Sequence, residues 1–305
     1  MTLTVGCVPG EPFLEHVEPA GHPERRDRLH AVAEAMEEVD GWTPLPHVRA
    51  TDEQLSAVHS ASLLAQLPAA ARGEVLIPDA DVYLSPSSFE VAALAAGSCC
   101  AAVDALVQRE IDVAWSFVRP PGHHCTADTP MGFCLLNNVA VAARHAQNAH
   151  GIKNVLVIDW DVHHGNGTEA IFWEDPALHF FSSHQSPLYP GTGREQDRGA
   201  HGNVVNVPLA AGSGDDALLS ALEHGCGPLL DRAQPDLIIV SAGFDAHYRD
   251  PLGGLSVTEA GFAAATRWVL SRAGGRPVLF SLEGGYDLVG LRDSVKSSLL
   301  ACISG

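Results

Sequence analysis

A chain of 305 residues that is 46% hydrophobic can fill a sizeable core, and its formal charge of −19 argues against a nucleic-acid phosphate backbone as partner. No charge block, low-complexity tract or solenoid-period repeat divides it, so one soluble domain spanning residues 1–305 is expected. Apolar stretches are interrupted by charge or glycine short of the ~20 residues of a membrane span, and Met1–Pro9 lacks the cationic start of a signal peptide, so the expected location is cytoplasmic, with no membrane partner.

In chain order, the first clear helical pattern is Ser87–Arg109, with Ala, Leu and Val at helical spacing after Ser85-Pro86. Asp112–Val118 then reads as a short buried strand. Asn138–His150 reads as a helix stopped by Gly151, and Asn154–Ile158 as a second strand. Leu178–Phe181, Val204–Val207 and Asp236–Val240 are further strands. Ser256-Val-Thr-Glu259 has the spacing of a capping box and opens a helix ending near Gly274-Gly275, before a last strand at Pro277–Leu282. Strands alternating with helices imply an α/β fold with a central, mostly parallel sheet covered on both faces, of about eight strands. The strand order does not follow from this pattern.

Four of these runs are each followed by groups that bind metals or move protons: His123 and His124, Asp159 to His164, Asp245, and Tyr286. In open α/β sheets the site lies beyond the carboxyl ends of the strands, so such groups converge although they span ~160 residues. If Asp159-Trp-Asp161-Val-His163 continues extended, Asp159, Asp161 and His163 share a face. Two of them with Asp245 make an open Asp2His set suited to a divalent catalytic metal. Arg119-Pro-Pro-Gly122 is a rigid turn presenting two imidazoles suited to acid and base roles, and Tyr286 could hydrogen-bond an oxyanion or simply wall the site. Seven scattered cysteines, with no Cys-x-x-Cys pair, suit a reducing compartment and speak against structural zinc. Cys125 reads as a small wall residue.

Together, Phe13-Leu-Glu-His16, Gly21-His-Pro-Glu-Arg25, Arg119-Pro-Pro-Gly-His-His124, Gly132-Phe-Cys-Leu-Leu-Asn-Asn138 and Asp159–Thr168 form a specific set. With Pro190-Gly-Thr-Gly193, Ser241-Ala-Gly-Phe-Asp245, Asp250-Pro-Leu-Gly-Gly254 and Glu283-Gly-Gly-Tyr286, it resembles the zinc-dependent histone deacetylase family over nearly the whole chain. The details are similar to the class II branch and its bacterial histone deacetylase-like amidohydrolases. The resemblance implies the arginase/deacetylase-type three-layer α/β/α sandwich and removal of acyl groups from acyl-lysine peptides or small acylated amines, with acetate released.

It further implies one zinc ion per chain on Asp161, His163 and Asp245, proton transfer by His123 and His124, and oxyanion stabilisation by Tyr286. A potassium ion is implied beside it, at Asp159, Asp161, His163 and Ser182 to Ser183. Phe133 and Tyr189, with Gly132, Gly284 and Leu252, are implied as the substrate tunnel. Asn166 stands where other branches carry Asp, so the ring it orients, that of His124, lacks an anionic partner, whereas Asp159 serves His123. An acetylpolyamine amidohydrolase is the alternative within the family. A two-metal ureohydrolase would need further carboxylates beside both ligand clusters, and a non-catalytic acyl-lysine reader would need neither Tyr286 nor the ligand set. Oligomeric state, including a homo-oligomer, stays open, and Asp79 to Ser88 is the expected rim of the pocket.

Overall fold

The computed structural model describes residues 3–77 and 79–304, so Met1 and Thr2 of the N-terminal stretch lie outside the described residues. The first half of the chain forms β1 (Val5–Val8), α1 (Asp27–Glu37), β2 (Trp42–Pro44), α2 (Asp52–Ser56), α3 (Ala61–Ala71), α4 (Ser88–Val107), β3 (Val113–Ser116) and α5 (Asn138–His150). The second half forms β4 (Val155–Asp159), α6 (Asn166–Phe172), β5 (Leu178–Gln185), β6 (Val204–Leu209), α7 (Asp215–Ala221), α8 (Gly227–Ala233), β7 (Leu237–Ala242), α9 (Glu259–Ala273), β8 (Val278–Leu282) and α10 (Leu288–Ser304).

All eight strands run parallel in one sheet, ordered β2-β1-β3-β8-β7-β4-β5-β6. The central strands β3, β8, β7 and β4 are buried at every residue. This is why they read as continuous apolar runs and do not alternate: helices cover both faces of the sheet. α4 packs on α5 and on β1, β3 and β8, while α1, α9 and α10 form a second packed set. The result is a three-layer α/β/α sandwich.

The eight-strand parallel expectation is met, although β1 and β2 have no clear sequence signal. β2 is a three-residue edge strand ending in Pro44, too short to show any period. α5 begins and ends as the sequence predicts, because the Asn137 side chain accepts from the Ala140 N–H and Gly151 closes the helix in the left-handed region at φ 67°. The cap of α9 is corrected. Thr258, not Ser256, is its N-cap, with its side chain accepting from the Gly261 N–H. Ser256 is engaged elsewhere, its N–H donating to Ser213 O at 2.7 Å in a bridge that carries the chain past residue 214.

The reading of interrupted apolar stretches also needs correction at α4, whose 20 residues are long and apolar enough to cross a membrane despite Glu90, Gly97 and Asp104. Here the helix is mostly buried inside the sandwich. Gly97 lets it approach the 48–50 segment: a Cβ there would lie 2.1 Å from Ala50 N and 2.3 Å from Val48 O. Backbone cannot yield as a side chain can. Gly97→Ala, which in an exposed helix would gain about 1 kcal/mol, is therefore expected to destabilise the protein by about 1–3 kcal/mol through overpacking, as measured by denaturant unfolding.

Candidate active site

Loops leaving β3, β8, β7 and β4 carry the four groups singled out from the sequence, and these strands are neighbours in the sheet. His163 Nδ1 lies 3.1 Å from Asp161 Oδ1 and 3.2 Å from Asp245 Oδ2. Nothing donates to Asp245 Oδ2, although it is buried. Burial first, and then the Asp161 charge, push the Asp245 carboxyl up to about 7. Two buried carboxylates and an imidazole converging on a point, with one oxygen unpartnered, fit a divalent cation.

Asp159 does not join this cluster. β4 ends at Asp159 and the chain bends through residues 161–163, so the extended alternation that would place Asp159, Asp161 and His163 on one face stops there. Instead, Asp159 Oδ1 accepts from the Asp161 N–H at 3.0 Å, and Oδ2 faces His123 Nδ1 at 2.9 Å. Ser182 stands opposite Asp159 in the β4–β5 register, with its hydroxyl 3.0 Å from His184 Nδ1. The buried Ser183 Oγ has no partner, an oxygen free for a cation.

The rings of His123 and His124 lie 4.0 Å apart. Asn166 Oδ1 is 2.8 Å from His124 Nδ1, while the Asn166 amide nitrogen faces His124 O and Met131 Sδ. The amide oxygen is thus the acceptor, so His124 carries its hydrogen on Nδ1 and keeps a lone pair on Nε2 when neutral. Burial, then the neighbouring His123 and His163, hold His124 well below the usual histidine range. Burial also opposes charge on His123, but Asp161 and Asp159 outweigh it and hold that ring well above the range.

A cavity of about 420 Å³ opens over these groups. Phe133, Tyr189, Gly132 and Leu252 line it together with His124, His163 and Tyr286, and Ala80 and Asp81 bring the 79–88 segment to its edge. Tyr189 stands perpendicular to His124 at 5.1 Å. Phe133 holds an uncommon φ of 68°, following Gly132 at 53°, where a Cβ would lie 2.5 Å from His124 Cδ2. Gly284, expected on the tunnel wall, lies instead beneath the acids. Its N–H donates to Asp161 Oδ2 at 2.8 Å, and a Cβ there would lie 2.0 Å from Asp245 Oδ2. Cys125 is a buried thiol donating to Leu135 O at 3.1 Å, outside the cluster. A wider groove of about 810 Å³ beside β6 is lined by none of the clustered acids and histidines.

Several contributors have no local sequence signal. Asp250 Oδ2 accepts from the Tyr286 N–H at 2.7 Å. The Arg28 guanidinium stands 5.0 Å over the Tyr286 ring, and it donates to Gly285 O at 2.7 Å and to Glu283 O. Fully buried Glu24 binds both Arg28 (3.0 Å) and Arg119, which also reaches the Tyr83 hydroxyl at 2.8 Å and His16 O at 3.1 Å. His22 lines the cavity with its ring 4.8 Å from Phe133. Glu24, His22 and Arg119 belong to motifs quoted above, but no spacing says that they meet.

Burial works against a charged Glu24, yet the two guanidiniums hold its carboxyl well below the usual carboxylate range. A folded value below the unfolded one contributes stability at neutral pH that is lost as pH falls below about 4.3. Glu24→Gln strands two buried cations, so it is expected to cost about 3–5 kcal/mol at pH 7. The deficit should shrink as pH falls through the acid range, which urea melts at neutral and acid pH would show.

Residues 22–302 match the histone deacetylase domain family. The chain is 40% identical to the histone deacetylase-like amidohydrolase of Pseudomonas aeruginosa over 94% of its own length and 77% of that protein. It is 39% identical to the chloroplastic histone deacetylase 10 of rice (Oryza sativa subsp. japonica), covering 95% of this chain and 71% of that one. Its fold superposes on the crystal structure of the HDA15 HD domain with a TM-score of 0.92 at 36% identity, over 99% of this chain and 89% of the other.

Proposed function

This chain belongs to the histone deacetylase family and is a hydrolase of acylated amines; from that premise we propose that it removes acetyl or similar acyl groups from acyl-lysine side chains, with residues 1–305 acting as one catalytic domain. The observation that carries this reading is the cavity that leads to Tyr286, His124 and the Asp161–His163–Asp245 cluster at once. An extended acyl-lysine would pass between Phe133 and Tyr189, which both line the cavity and whose ring faces suit a methylene chain. The seven buried free thiols support a cytoplasmic, reducing location.

Asp161, His163 and Asp245 would hold one zinc ion, and Asp159, Asp161 and the His163 carbonyl, with Ser182 and Ser183, a potassium ion. A bound divalent ion supplies Lewis acidity for the amide carbonyl and for water. The remaining steps belong to side chains. The histidine pair takes a proton from the attacking water, and the lone pair on His124 Nε2 is available for this. Tyr286 donates its hydroxyl hydrogen to the carbonyl oxygen as that atom gains charge. The pair returns the proton to the departing nitrogen as the C–N bond breaks, giving acetate and a free amine. Asp159 and Asn166 hold the two rings in place throughout.

Tyr286→Phe is expected to lower kcat on an acetyl-lysine peptide by about 10²-fold or more while metal content and folding stay unchanged. Asp161→Ala and Asp245→Ala should instead lose the tightly held ion together with activity. Metal analysis after dialysis separates the two cases, and an active Tyr286→Phe enzyme would return that residue to the role of a wall aromatic.

A second reading has its own observation. Asp81 lines the cavity, and its N–H bonds Asp79 Oδ1 at 2.8 Å, so carboxylates stand where the distal ammonium of an acetylpolyamine could pair. Against it, Leu252 offers the same cavity only apolar contact. We expect a higher kcat/KM on acyl-lysine peptides than on N-acetylputrescine or N8-acetylspermidine, with Leu252→Glu moving the ratio toward polyamines by roughly 10- to 150-fold, the equivalent of one charge-assisted pair. Polyamine preference in the unmodified enzyme would overturn the lysine assignment and leave the amidohydrolase chemistry standing.

A further inference from the structure

Outside the cavity, where α4 packs on α5, a second cluster of ligating side chains takes no part in the chemistry described above. His145 Nε2 and His150 Nε2 each lie 2.6 Å from the same oxygen, Asp104 Oδ1. The two rings are perpendicular with centroids 5.5 Å apart, and all three side chains are partly exposed, so ions in solution can reach them. One ligand atom from each residue falls within a 4.8 Å sphere of separations. Two imidazole nitrogens and one carboxylate oxygen form a set that first-row transition ions take in preference to magnesium or calcium.

We propose that Asp104, His145 and His150 form a second metal site, binding a divalent transition ion such as zinc, with water completing the coordination. Around a tetrahedral ion with bonds of about 2.0–2.2 Å, ligand atoms stand roughly 3.3–3.5 Å apart. The present 2.6 Å contacts would have to open to that separation as the ion enters. The ion then ties the end of α4 to the end of α5. This inference is independent of the deacylase reading.

Gln54 sets how tightly the site binds. Its Oε1 accepts from the Thr51 N–H at 2.8 Å in the capping box of α2, which fixes the orientation of the amide. Its Nε2 therefore faces His145 Nδ1 at 3.0 Å as a donor, so the neutral ring has its lone pair on Nδ1 and its hydrogen on Nε2. An ion on Nε2 needs the hydrogen on Nδ1, where it would meet the Gln54 N–H. A metal-bound imidazole is best served by an acceptor at that position. Gln54→Glu supplies one and preserves the capping box, in which Glu serves as well as Gln.

The test is a zinc titration by calorimetry of the intact enzyme already carrying its tightly held ion. One further zinc per chain is expected, absent in His150→Ala with kcat/KM unchanged, and bound about 10-fold or more tightly in Gln54→Glu. Should His150→Ala fail to fold, Asp104→Asn and Gln54→Glu give the same reading in opposite directions. No further ion up to about 100 µM zinc, an extra ion that survives these substitutions, or an unchanged affinity in Gln54→Glu would overturn the proposal.

Discussion

Buried negative charge beneath one cavity is the constraint on which the rest of this structure depends. Asp159, Asp161, Asp245 and Glu283 are all essentially inaccessible to water, and burial drives the carboxyls of Asp245 and Glu283 up to about 7. Such groups persist only where hydrogen-bond donors or cations meet them. The chain supplies donors from its backbone: Gly122 to Glu283 at 2.7 Å, Val162 to Asp245 at 2.8 Å, and Gly284 to Asp161 at 2.8 Å. What remains unmatched, above all Asp245 Oδ2, is what a bound cation would answer.

That demand explains the glycines around the site. A Cβ at Gly165 would sit 2.1 Å from Asp159 Oδ2, and one at Gly243 would sit 2.2 Å from Asp161 Oδ2. Close approach of backbone to carboxylate leaves no room for a side chain, so the glycines after the strands are a consequence of charge burial more than of turn geometry.

Positive charge is arranged one layer further out. Arg28 and Arg119 share Glu24, and Arg28 spends its remaining donors on the carbonyls of Glu283 and Gly285, more than 250 residues away in sequence. The loop that presents Tyr286 is thereby held from below by an N-terminal guanidinium and from the side by Asp250. The cavity mouth also carries Leu252 and Asp81, and Leu252 is tied to the same network through its N–H, which donates to Asp250 Oδ1 at 2.9 Å.

The sequence by itself determined the parallel sheet, the extent of α5, the presence of the central strands to within one or two residues at each end, and the identity of the groups at the strand ends, because each rests on a local signal: an uninterrupted apolar run, a cap, or a ligating residue after a strand. It also carried the pairing of Asn166 with His124 and of Asp159 with His123, through the resemblance of whole motifs. Tertiary structure alone decided that β3, β8, β7 and β4 are neighbours, that the chain bends after Asp159 and ends the extended alternation there, and that Gly284 lies under the acids instead of along the tunnel. It alone moved the cap of α9 from Ser256 to Thr258, by engaging Ser256 in a bridge, and it alone joined Arg28 and Glu24 to the Tyr286 loop. These outcomes depend on which surfaces pack together, and no window of neighbouring residues contains that information.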